Sequence, residues 1–67
     1  MKNYLNSDKF DLVSNLTTIN VIKLQNNTWK ILENGKYSGE KSDDEVVKMV
    51  EKLAKEEFEV IIPELNY

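Results

Sequence analysis

The chain contains no cysteine and no histidine, and those two absences remove much of the chemistry open to a small protein. Without cysteine there are no disulfides, thiolate nucleophiles or cysteine-ligated metals. Without histidine the commonest general base and the commonest transition-metal ligand are missing. Arginine is absent as well, since all nine cations are lysines. Arginine is the favoured side chain for bidentate contact with phosphate and guanine edges, so sequence-specific reading of DNA is disfavoured. Lysine can still meet backbone phosphate as a point charge. Long apolar runs are missing too: the longest is Val60-Ile61-Ile62, far short of a membrane span. No signal-peptide apolar region follows Met1-Lys2-Asn3, which points to a cytoplasmic protein with no membrane partner. On that reading the sequons Asn15-Leu16-Thr17 and Asn26-Asn27-Thr28 are accidental.

What remains is an ordinary globular composition. The 40% apolar and 31% charged fractions are not those of a disordered chain. Sixty-seven residues make one small domain, near the lower limit of what folds without a disulfide or metal. A core that small leaves little surplus stability, so self-association or a partner is compatible with the folded state. The net charge of −3 is unevenly spread. Residues 1–30 hold four lysines against two acids, a balance of +2, and residues 31–67 hold five lysines against ten acids, a balance of −5. An acidic C-terminal half disfavours non-specific contact with nucleic acid or anionic lipid and suits a basic protein surface.

The strongest structural signal is the stretch Ser42 to Ile62, one amphipathic helix running into one apolar strand. Ser42 and Glu45 have the spacing of a capping box, and Asp43, Asp44 and Glu45 place negative charge at the positive end of the helix dipole. Val46, Val47, Met49, Val50, Leu53 and Ala54 fall within an arc of about 160° at the helical repeat. The pattern predicts a helix over about 43–57 and a strand over 58–62, stopped by Pro63.

Upstream, β-branched residues predict strands over about 17–25 and 28–33, with a shorter one at 36–38. Asn26-Asn27 and Asn34-Gly35 supply the hairpin turns of an antiparallel meander. Ile19 and Val21 should face one side, Ile22 and Leu24 the other, with a break of parity that allows a bulge. Residues 1–16 admit two forms. Ser7 can cap a short helix bearing Phe10, Val13 and Leu16 on one side, or the segment can lead extended into the sheet. The expected fold is therefore a small α+β two-layer sandwich. The sheet face away from the helix, where Ile22, Leu24, Leu32, Tyr37, Ile61 and Leu65 compete for cover, is left for the N-terminal arm or a second copy.

Motifs that carry chemistry are weak. Glu40, Asp43, Asp44 and Glu45 cluster, but they lack the alternating ligands and mid-loop glycine of a calcium loop, and helix capping accounts for them. Gly35 and Gly39 around Lys36-Tyr37-Ser38 match no phosphate-binding spacing. Trp29 and Tyr37, with Lys23, Lys30 and Lys36, have the residue types of a stacking platform for single-stranded nucleic acid, though aromatics at alternate strand positions more often fill a core. No family is assigned. The element order has a loose similarity to double-stranded-RNA-binding domains, which carry lysines where this chain reads Ser42-Asp43-Asp44-Glu45.

These readings predict no enzyme, no cofactor and no metal. The favoured expectation is a small protein-binding module, an inhibitor, immunity or regulatory protein, whose partner is another protein. Its arginine-free, Lys- and Asn-rich composition suits a bacterial, phage- or mobile-element-encoded gene in an AT-rich genome. Candidate contact residues are Phe10, Trp29, Lys30, Tyr37, Asp44 and Glu51. The alternative is single-stranded nucleic-acid binding through a Trp29/Lys30/Tyr37 sheet face. Pairing into a homodimer is compatible with either.

Overall fold

In a computed structural model describing residues 3–25 and 27–63, four consecutive strands form an antiparallel meander: β1 (Lys9–Val13), β2 (Thr18–Gln25), β3 (Thr28–Glu33) and β4 (Lys36–Ser42). A helix, α1 (Asp43–Lys55), then leads to β5 (Glu59–Ile61), which pairs antiparallel with β1. The sheet order is β4-β3-β2-β1-β5, so α1 carries the chain from one edge to the other. Its 13 residues span roughly 20 Å at 1.5 Å per residue. Four inter-strand spacings of 4.8 Å come to about 19 Å, so the helix has the length this crossing requires. The result is a two-layer α+β fold, as the periodicities predict. Leu65, expected to compete for cover on the open side, lies outside the described residues.

Asparagine makes the turns. Asn34 and Gly35 have φ of 52° and 85°, the pair of left-handed residues that a type I′ hairpin needs. Asn34 also fastens the start of β2: its N–H donates to the Thr18 carbonyl at 2.8 Å, and its Oδ1 accepts from the Thr18 N–H at 2.9 Å. Asn27 takes φ 62° in the β2–β3 turn, while Asn26 lies outside the described residues. Between β1 and β2 the Ser14 N–H donates to the Thr17 carbonyl at 2.8 Å, and the Ser14 hydroxyl accepts from the Thr17 N–H at 3.1 Å. That closure leaves Asn15 and Leu16 at the tip, with Leu16 in solvent.

Two register shifts shape the sheet. One falls between Lys23 and Gln25 of β2, beyond the step from Val21 to Ile22 at which the sequence changes face. Pairing runs regularly through that step, so Val21 and Ile22 simply point to opposite sides of the sheet. The other sets two steps of β4 against the single step from Ile31 to Leu32 of β3, and Gly39 there has φ 138°. The strand expected over 36–38 therefore does not stop there: it bends at Gly39, and pairing resumes through Glu40, Lys41 and Ser42 opposite Lys30, Trp29 and Thr28. A bulge of this kind also keeps an edge strand from recruiting another chain.

The capping box at the head of α1 is formed as expected. Ser42 Oγ accepts from the Glu45 N–H at 3.3 Å, and Glu45 Oε1 accepts from the Ser42 N–H at 2.9 Å. Val46 and Val50 are buried, with Met49 and Leu53 packed beside them. Ala54 is exposed, so the apolar stripe is narrower than the sequence arc. The helix ends earlier than 57. The Glu57 N–H donates to the Ala54 carbonyl and the Phe58 N–H to the Leu53 carbonyl, the paired bonds of a Schellman motif. Glu57 supplies its left-handed residue, at φ 70°.

The N-terminal segment resolves in favour of the extended form. A 3-10 turn spans Asn3–Asn6, before Ser7 rather than after it, and no helix forms over 7–16. Phe10 and Leu12 alternate along β1 into the core while Val13 faces the other way. Period-2 burial of two large side chains outweighs the weaker i, i+3 coincidence of Phe10, Val13 and Leu16. The core comprises Tyr4, Phe10, Leu12, Ile19, Val21, Trp29 and Ile31 against Val46 and Val50. Tyr4 and Phe10 lie with ring centroids 4.8 Å apart, and Phe10 meets Trp29 edge-on at 5.8 Å. The N-terminal arm thus joins the helix side and leaves the opposite sheet face open.

Candidate functional site

Cross-strand partners lie on the same face of a sheet, so the ladder identifies the residues opposite α1. Ile61, Asp11, Asn20, Leu32 and Tyr37 form one row across all five strands. Lys9, Ile22, Lys30 and Glu40 form the next. Leu24, at the bulge of β2, extends the apolar part and borders a shallow recess with Gln25, Thr28 and Glu40. Tyr37 is 63% and Leu24 43% exposed. Ile22, Leu32 and Lys30 are half-buried among their neighbours. On the β1 side the face turns polar, where the Asn20 amide donates to the Asp11 carboxylate at 2.8 Å. Among the described residues no helix or turn covers this surface.

The structure separates the expected contact residues. Lys30 and Tyr37 lie on the open face. Trp29 and Phe10 do not: both are 0% exposed, and they face α1. This corrects their placement as contact residues, because a strand side chain under a helix is committed to the core. Trp29 and Tyr37 therefore stand on opposite sides of the sheet and form no common stacking platform. Lys23 is committed inward too, its Nζ donating to the Leu5 carbonyl at 3.1 Å and lying 5.0 Å from the Trp29 ring centroid. Asp44 and Glu51 are exposed on the outer side of α1, away from the open face. Glu51 has a local role: burial first, and then its carboxylate, hold the Tyr4 hydroxyl above its ordinary range.

The acids at the start of α1 serve structure. Asp43 accepts from the Trp29 indole N–H at 2.6 Å. Hydrogen bonds from the Ser42 backbone and side chain hold the Glu45 carboxyl below its ordinary value. The Trp29–Asp43 bond was not foreseeable from spacing, because it depends on β4 continuing past Gly39 to deliver Asp43 above Trp29.

In comparisons with known proteins, no family model, no curated protein and no solved structure matches this chain. Among the described residues no helix is long and apolar enough to cross a membrane.

Proposed function

We propose that the protein is a small non-enzymatic binding module, an inhibitor, immunity protein or regulatory adaptor, that occludes a protein partner with the open face of its sheet. One observation carries the reading: on the open face Tyr37 is 63% and Leu24 43% exposed, and half-buried Leu32 and Ile22 lie between them on β3 and β2. An exposed aromatic cross-strand from Leu32, on a face that also carries Ile22, Lys30, Glu40 and Asp11, has the composition of a recognition surface. The reading assigns the helix side to stability and the other side to contact.

Affinity capture from a lysate of the source organism tests it, with wild type and Tyr37→Lys compared side by side. Wild type should retain one dominant protein and Tyr37→Lys should lose it, since a cation in place of the exposed aromatic disrupts an apolar contact. Retention of the same protein by both chains, or of nothing specific at low salt, would count against the proposal. Circular dichroism of the variant guards against loss of fold, and Tyr37 is exposed enough for the change to be tolerated.

A further inference from the structure

We infer a second contact surface, a groove at one end of the domain that docks a basic segment of a protein partner bearing an apolar side chain. The inference takes from the reading above only that the partner is a protein. The groove, of about 760 Å³, lies where the β1–β2 turn meets the exit of α1. Ligand-sized clefts run to about 300–1,000 Å³. Val13 and Leu16 line it from the turn, and Glu56, Glu57, Phe58 and Glu59 from the helix exit.

Charge and apolarity both point to that occupant. The three glutamates are exposed, and among the described residues no cation lines the groove. Lys52 and Lys55, in the last turn of α1, are the nearest cations in sequence and stand outside the lining, so the lining itself carries only negative charge. It also sits at the carbonyl end of α1, where the helix dipole adds negative potential and acids are unfavourable for the helix itself. In the same groove Leu16 is 91% exposed at the hairpin tip, and Phe58 is half-buried. A cationic segment answers the carboxylates, and an apolar side chain on it covers Leu16 and Phe58. Val13 belongs both to this groove and to the open face, so one partner can span the two.

The test is a titration of the isotope-labelled full chain with a short synthetic peptide in which lysine alternates with leucine. Saturable amide shifts should be confined to residues 13–17 and 56–59. Leu16→Ser, and Glu56→Gln with Glu59→Gln, should each weaken binding by about five-fold or more. Asp44→Asn with Glu51→Gln, the same charge change on the outer side of α1, should leave affinity within about two-fold. Equal weakening by that control pair would reduce the effect to bulk charge and overturn the proposal, as would unsaturable binding or shifts spread over the domain. Tyr37→Lys should leave the peptide titration unchanged, which separates failure of the groove from failure of the open face.

Discussion

The indole nitrogen of Trp29 and the carboxylate of Asp43 are 2.6 Å apart, and this bond fixes the head of α1 to β3, one strand in from the edge. Trp29 is wholly buried, so its N–H has to find an acceptor inside the fold. Asp43, the first residue of the helix, supplies one where a negative charge also complements the helix dipole. Asp43→Ala leaves the indole unpaired and should lower stability by about 1–3 kcal/mol. Trp29→Phe removes the donor and adds a void, and should cost more. Urea midpoints at unchanged m-value measure both.

Glu57 holds a left-handed conformation, at φ 70°, in the position where helix ends favour glycine. It is also an acid at the negative end of the dipole. Glu57→Gly should therefore stabilise the domain, by about 1 kcal/mol, the steric relief exceeding the extra freedom glycine gives the unfolded chain. Thermal melts read this as a raised Tm. A lowered Tm would show that the Glu57 side chain contributes more than its backbone costs.

Asn34 does two jobs that substitutions can separate. Asn34→Gly keeps the φ of 52° accessible but loses the bond to the Thr18 N–H, at about 1 kcal/mol. Asn34→Ala loses the bond and adds left-handed strain, for about 2–3 kcal/mol in all. The order Gly above Ala in denaturation midpoint is the expected result.

Two groups make stability depend on pH in opposite directions. The Glu45 carboxyl is held below its ordinary value of 4.5, chiefly by the Ser42 backbone hydrogen bond. Its contribution is present above that pH and is lost as pH falls through the lower folded value. Tyr4 is raised above 10.0 by burial and then by Glu51. Its contribution is present below pH 10.0 and is lost as pH rises through the higher folded value. Glu45→Gln should flatten the acid limb of a stability–pH curve, and Tyr4→Phe the alkaline limb.

Local chemistry was legible in the sequence wherever it was self-contained. The Ser42–Glu45 box, the Asn34-Gly35 turn and the alternation of Ile19 and Val21 against Ile22 and Leu24 each declare themselves within a few residues. Period-2 placement also named Ile22, Leu24, Leu32, Tyr37 and Ile61 among the candidates for the open side, and the ladder puts Ile22, Leu32, Tyr37 and Ile61 there. Features that depend on distant pairing were not legible. Phe10, Val13 and Leu16 read equally as a helix stripe until β2 and β5 offered edges to β1. Trp29 and Tyr37 have the residue types of a stacking pair, but the Asn34-Gly35 turn sets Tyr37 opposite Leu32 and so on the face away from Trp29. The Gly39 bulge, which decides the face of Glu40 to Ser42, is invisible in the sequence as a register shift. The groove of Glu56, Glu57 and Glu59 became a site only when the fold brought Leu16, some forty residues upstream, against it.

Tyr37 is the residue on which the functional account turns, and its chemical accessibility with and without partner is the most direct measurement. Nitration of the free chain, read by mass spectrometry, should modify Tyr37 and spare Tyr4, which is buried against Phe10. In complex with the captured protein, Tyr37 should be protected while the emission of Trp29, on the opposite side of the sheet, stays unchanged. Equal nitration of Tyr37 in the free and bound chain would contradict the account.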